Sequence, residues 1–249
     1  MSHDEQLPPW LDANGSPEQL PDPARARREP NGLLAAGGAL TPAWLLSAYR
    51  RGIFPWFSDD QPILWWSPDP RAVFDPAHFA PARSLRQSIR GRGYETAFDR
   101  DFAAVIRACA APREPDGGTW ITAPMIAAYE ELHRLGHAHS VETWADGELV
   151  GGLYGVRLGA MFFGESMFSR TSNASKIALA ALVAFCRAHG IAHIDCQQNT
   201  RHLASLGARE IAREGFLRHV ADGVIQASPQ WQFEPRYWNQ LLPEMSTQK

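Results

Sequence analysis

Two patterns of apolar residues organise this chain. From Ile177 to Cys186 the run is apolar on nearly every side at helical length, which predicts a buried helix within Asn173 to His189, too short to span a membrane. The stretches around it alternate instead. Ser140 to Trp144, an Asp146-Gly147 turn and Glu148 to Val156 read as a hairpin. A second turn at Arg157 to Gly159 leads into a strand from Ala160 to Phe168, and Ile191 to Cys196 reads as a strand after the helix. A meander followed by a helical crossover predicts an α+β or α/β sheet with at least one parallel pair.

The flanking regions carry local signals. Thr41 as N-cap, Pro42 at the first helical position and Gly52 past the end predict a helix over Pro42 to Arg51. Further helices are expected over Ala82 to Arg92, from an Asp99 cap to Ala110, from a Thr122 cap to Leu135, and in HLASLGAREI before a glycine turn. APREPDGGTW reads as a loop delivering Trp120, and Trp56, Trp65 and Trp66 fall among prolines and turn residues. Residues 1–30 read as an irregular, proline-rich lead-in, and the aromatic WQFEPRYW stretch in the polar C-terminal part has no assigned role.

Composition narrows the class. With 249 residues, 45% hydrophobic and 20% charged, the chain suits one large domain plus a small one in a soluble protein. Cys109, Cys186 and Cys196 have no metal or redox spacing, and the N-terminus lacks a basic stretch followed by an apolar one, so a reducing cytoplasm is expected. A formal charge of -3 argues against a general nucleic-acid coat but leaves room for a local basic face.

Candidate chemistry lies where acids or amides interrupt apolar runs. Glu165 within MFFGESMF and Asp195 within IAHIDCQ each need a partner, since an unpaired buried carboxylate is unfavourable by several kcal/mol, roughly. Strand alternation puts Asp195 and Gln197 on one face, about 7 Å apart. Beside them Phe162, Met167, Leu179, Leu182 and Ile194 suggest an apolar pocket. Phe162 and Met167 have opposite parity, so both reach it only if the strand bulges or ends near Gly164.

Other constellations are weaker. Arg83, Arg86 and Arg90 share a helical face with no acid between them, which suits either a phosphate track or a solvated surface. The tryptophans around Trp56 suit either base stacking or an interior interface. His133, His137 and His139 imitate a zinc cluster, but no Cys or carboxylate in the sequence pattern completes a tetrahedral set, so no metal is expected. Ser166 lacks the second glycine of a nucleophile elbow, and no nucleotide fingerprint occurs, so no cofactor is expected.

GLLAAGGALTPAWLLSAYRRGIFPWF, ILWWSPDPRAVF, GTWIT, GHAHSVE, FGESMFSRTSNASKIAL and IDCQ with HLASLGA together resemble the bacterial leucyl/phenylalanyl-tRNA protein transferases, from about Arg28 to Val220. The resemblance implies an α+β protein: a small N-terminal domain over 31–69, then an acetyltransferase-like domain over 70–249 with a mixed sheet flanked by helices, using no acetyl-CoA. It implies transfer of Leu, Phe or, less well, Met from aminoacyl-tRNA to an N-terminal Arg or Lys of a protein, marking that protein for degradation; a monomer is expected. It further implies that Asp195 and Gln197 handle the attacking amine, that Glu165 helps hold the acceptor, and that Trp56 and Trp120, with Tyr49 nearby, contact the terminal adenosine. Leu153, Phe162, Met167, Leu179, Leu182 and Ile194 would line the aminoacyl pocket, and Arg83, Arg86 and Arg90 would meet the tRNA backbone. The rival classes are an acyl-CoA N-acyltransferase, whose pyrophosphate-binding loop is missing, and a non-enzymatic tRNA-binding protein, which leaves Asp195 and Gln197 unexplained.

Overall fold

The computed structural model describes residues 7–91, 93–112 and 119–242. Its first sheet contains β1 (Trp10–Leu11), β2 (Leu33–Gly37), β3 (Phe54–Pro55) and β4 (Leu64–Trp66), in the order β1-β2-β4-β3, with helix α1 (Pro42–Tyr49) between β2 and β3. Thr41 caps α1 through the Trp44 amide at 3.5 Å, as the sequence signals predict. Gly52 closes the following turn at φ +67, a conformation that favours glycine, and an added Cβ would lie 2.6 Å from the Leu217 side chain.

Two expectations for this region are overturned. Residues 7–30 are not a loose lead-in: β1 pairs in parallel with β2, Leu11 and Leu20 are buried, and Arg51 donates to the carbonyls of Leu20 at 2.6 Å and Pro21 at 2.8 Å. The prolines that made this stretch read as irregular start short turns, Pro17 behind a Ser16 cap and Pro23 behind an Asp22 cap. Trp65 and Trp66 also belong to a regular strand, where the Trp65 indole is fully buried and donates to the Gly37 carbonyl at 2.9 Å.

The second sheet begins at β5 (Arg71–Phe74). After it come α2 (Arg83–Arg90), β6 (Glu95–Phe98), α3 (Phe102–Ala110), α4 (Ala123–Arg134), β7 (Ala138–Ala145), β8 (Glu148–Leu158), β9 (Met161–Ser169), α5 (Ala174–Ala188), β10 (Ile194–Gln197), α6 (Arg201–Leu206), β11 (Arg209–Ile211) and α7 (Arg213–Val224). The strand order is β11-β5-β10-β9-β8-β7-β6, antiparallel throughout except for the β9–β10 pair that flanks the α5 crossover. Both sheets are mixed, and the protein is α+β. They share a core, in which Tyr49 of α1 packs on Phe163 of β9 with ring centroids 5.2 Å apart.

Local sequence explains most of these elements. Asp146 and Gly147 both take positive φ, 50° and 81°, the geometry of a two-residue hairpin turn. Every residue of α5 from Ile177 to Cys186 is buried, because β7 and β8 cover one side while α2 and the turn at Pro235–Gln240 cover others. Asp99 does not cap α3, however. Asp101 does, accepting from Ala104 at 2.9 Å, while Asp99 turns to accept from the Ser140 amide at 2.7 Å. Thr122 precedes α4 without a side-chain cap bond. The strand expected from Ile191 starts only at Ile194, and β11 and α7 have no counterpart in the sequence reading. Most of the loop expected over 111–120, and Arg92 at the end of the expected arginine helix, lie outside the described residues.

Candidate active site

The ladder between β9 and β10 consists of Ile194 opposite Phe162 and Asp195 opposite Phe163. Beyond that point a cavity of about 480 Å³ opens, lined on one side by Gly164 to Met167 and on the other by Cys196 to Gln198. Leu153, Phe162, Met167, Leu179, Leu182 and Ile194 all face it, and Trp56 and Trp120 border it. Trp56 is 41% exposed, a large aromatic left in solvent beside an apolar hole.

The parity problem along β9 is solved by a bulge. Tyr154 pairs with Ser166 and Gly155 with Gly164, so Glu165 is the extra residue and strand parity switches there. Met167 thereby joins Phe162 on the cavity side. The bulge also places the Glu165 carboxylate in a polar cluster: Oε1 accepts from Tyr49 at 2.8 Å and from the Gln197 amide at 3.0 Å, and Oε2 accepts from Tyr129 at 3.1 Å. The two tyrosine hydroxyls also touch each other. Two hydroxyl protons cannot serve three contacts, so this ring closes fully only when Glu165 carries a proton. Burial pushes the same way. It raises the carboxyl from 4.5 to about 7, overcoming the hydrogen bonds from Tyr49 and Tyr129; the charge of Asp195 adds to the rise and that of Arg71 opposes it. Both tyrosines are pushed well up, first by burial and then by Glu165, and stay protonated.

A second bulge, in β10, corrects the expected Asp195–Gln197 pair. Asp195 lies opposite Val73 and Gln197 opposite Ala72, with Cys196 extra, and Gln197 takes φ +56. The extra residue switches parity, so the two side chains do not share a face. Gln197 borders the cavity and reaches Glu165, whereas Asp195 is fully buried and does not line it. Its oxygens are held by Arg71, Nε to Oδ1 at 2.8 Å and Nη2 to Oδ2 at 2.6 Å, and Oδ1 also accepts the backbone N–H of Gln197 at 3.0 Å. Arg71 is equally buried, lies against the rings of Phe54 and Phe216, and donates to the Gly52 carbonyl at 3.1 Å.

Tyr49 is also relocated. It is fully buried and does not line the cavity, and it meets the site through its hydrogen bond to Glu165. Arg83, Arg86 and Arg90 stand exposed on α2, anchored beneath by buried Leu85. Sequence reasoning missed Arg71 and Tyr129. Arg71 carried the signal that singled out Asp195, a charge inside an apolar strand, whereas Tyr129 looks like any aromatic on the inner face of a helix. Cys196 borders the cavity, but burial raises its thiol above the usual range, which keeps it a weak nucleophile.

The histidine cluster is also corrected. Asp99 joins His133 and His139, with ligand-type atoms within 4.8 Å, so a carboxylate does stand beside two of the histidines, although the three residues fall one short of a tetrahedral set. These atoms engage the protein: His139 Nδ1 lies 2.7 Å from Asp99, and His133 Nδ1 lies 2.8 Å from the Ala138 carbonyl, a contact that requires a proton on that nitrogen. His137 is outside the group.

An apolar cavity with aromatic rings at its edge and a carboxyl–carboxamide pair on its wall has the chemistry to hold an apolar group beside polar groups that can orient a second reactant. Comparison with known proteins specifies the class. A family model described as leucyl/phenylalanyl-tRNA protein transferase matches residues 73–221, and the model of that family's N-terminal domain matches 38–69. A leucyl/phenylalanyl-tRNA–protein transferase of Azoarcus sp. is 59% identical over 221 residues, covering 89% of this chain and 93% of the relative. The one from Polaromonas sp. is 58% identical and covers 94% of each chain. A solved GCN5-related N-acetyltransferase-like protein from Streptococcus suis overlaps 69% of this chain and 65% of its own at a TM-score of 0.33 and 14% identity, too slight a likeness to carry a conclusion. The chain belongs to the leucyl/phenylalanyl-tRNA protein transferase family and is an aminoacyltransferase.

Proposed function

We propose that this chain moves Leu, Phe or, less well, Met from aminoacyl-tRNA to the N-terminal Arg or Lys of acceptor proteins, which marks those proteins for degradation. The observation that carries the proposal is the conjunction in one cavity of an apolar lining, two tryptophans at its border and the Glu165–Gln197 pair. The aminoacyl side chain occupies the hole between Leu153, Phe162, Met167, Leu179, Leu182 and Ile194. The terminal adenosine stacks on Trp56 and Trp120, and the arginines of α2 follow the tRNA backbone. The parting of the parallel β9 and β10 supports an acetyltransferase-like domain in which charged tRNA replaces an acyl-CoA. We propose further that it acts as a monomer in the cytoplasm; no helix of the described residues is long and apolar enough to cross a membrane.

The chemistry asks little of an acid or base. The ester is already activated, and an α-amine of pKa about 8 is roughly one-tenth neutral at pH 7. Holding both reactants contributes about 7 to 11 kcal/mol, against a factor of about 10² to 10⁴ from a general base. Gln197 and Glu165 therefore orient the amine, and Asp195 acts through Gln197 by fixing the bulge. Incubation with leucyl-tRNA or acetyl-CoA and a peptide beginning with Arg, followed by weighing of the peptide, tests the reading. A leucine added only from the tRNA is expected; an acetyl group, or no change with tRNA bound, would overturn it.

A further inference from the structure

The aromatic stretch near the C-terminus packs behind the wall of the cavity. Phe162 is fully buried and faces the cavity at the centre of the sheet. One side of its ring rests on the backbone at Gly155, where an added Cβ would lie 2.7 Å from a ring carbon. Against the ring lies Trp231, with ring planes 3° from parallel and centroids 5.5 Å apart. Trp231 does not line the cavity. It is held by its indole N–H donating to the Ser140 carbonyl at 3.3 Å, by Phe98 at 4.7 Å, and by Phe185 of α5 edge-on at 4.9 Å.

This support differs from that of the neighbouring residues. Leu179 and Leu182 are set by the backbone of α5 and Leu153 by the β8 ladder, but the Phe162 ring rests on a side chain delivered after α7 by a segment without regular structure. Close contact at Gly155 bars the ring from shifting that way, and Trp231 fills the space against its face.

We infer that Trp231 is a positioning residue that sets the depth of the aminoacyl pocket, and with it the discrimination between leucine and larger side chains, by bracing Phe162 from behind. The inference rests on the aminoacyl reading of the cavity. Removing the indole lets the ring retreat and deepens the hole, so the larger phenylalanyl group gains on leucyl. The test compares kcat/KM for phenylalanyl-tRNA and leucyl-tRNA with the same Arg-initiated peptide. Trp231→Ala is expected to raise the ratio of phenylalanine to leucine transfer about tenfold, on the scale that one methylene makes in an apolar pocket. Trp231→Phe, which keeps a flat ring behind Phe162, is expected to hold the ratio near that of the unmodified chain. Partial unfolding lowers both rates together and leaves their ratio alone, so a merely structural role predicts no change, and an unchanged ratio in Trp231→Ala would overturn the proposal. If that variant does not fold, Trp231→Leu, which leaves part of the indole's space empty, is expected to raise the same ratio by a smaller factor, and an unchanged ratio would overturn the proposal. Failure of the unmodified chain to transfer either amino acid would instead refute the functional reading.

Discussion

Asp195 shows how much of this site is held from behind. A carboxylate with both oxygens on a buried guanidinium cannot turn toward a substrate without stranding Arg71. Substituting Asp195→Asn removes one charge and leaves the other buried, a change that typically destabilises by about 3 to 5 kcal/mol. Urea unfolding should show a loss of that order. In folded material at low temperature, transfer should slow while aminoacyl-tRNA binding persists, since Asp195 lines no part of the cavity. Glu165 makes the opposite prediction in its pH dependence. Its carboxyl is raised in the folded state from 4.5 to about 7, so the folded chain holds a proton that the unfolded chain has released. The associated stability is fully present below pH 4.5 and disappears as pH rises through about 7. Between about pH 5 and pH 8 the unmodified chain should therefore lose about 2 to 3 kcal/mol relative to Glu165→Gln, which cannot titrate. Denaturation curves of both chains at the two pH values check this, and an equal loss of stability in the two would contradict it.

At the level of elements, the site depends on two β-bulges. Without the extra Glu165 in β9, Met167 would leave the pocket, and without the extra Cys196 in β10, Gln197 would follow Asp195 into the core. Gly155 permits the first bulge, because a Cβ there would meet the Phe163 carbonyl at 2.2 Å and the Phe162 ring at 2.7 Å. Gly155→Ala should therefore destabilise by about 1 to 3 kcal/mol through overpacking. Because the clash lies beside Glu165, kcat for transfer should fall by more than KM rises, which steady-state kinetics would reveal. The bulge near Gly164 was foreseeable from conflicting parity, since both Phe162 and Met167 looked apolar enough to face one hole. That in β10 was not, because Asp195 and Gln197 alternate correctly and nothing local marks Cys196 as extra.

For the whole molecule, the first sheet holds α1 and, through it, Tyr49 against Glu165. The N-terminal residues contribute to that sheet, so a chain starting at Asn31 should lose the burial of Leu11 and Leu20, about 1.5 to 3 kcal/mol for each. A reduced denaturant midpoint together with reduced transfer is expected; a chain as stable and active as the full one would restore the view that these residues are a tail.

The sequence by itself determined the buried helix, the hairpin and its turn, the apolar residues of the pocket and the acids that needed partners, because each of these is written in local periodicity, capping residues or an unfavourable charge in an apolar run. It also specified the family, through short motifs in which unusual residues stand together. The tertiary structure decided which partner each acid takes. Arg71 lies 124 residues from Asp195, Tyr49 lies 116 and Tyr129 36 residues from Glu165, and Trp231 reaches Phe162 from the far end of the chain. Local pattern reports only the face on which a side chain starts. Which group meets it there depends on strand order, on bulges that switch parity and on the packing of distant segments, all of which are settled when the whole core closes.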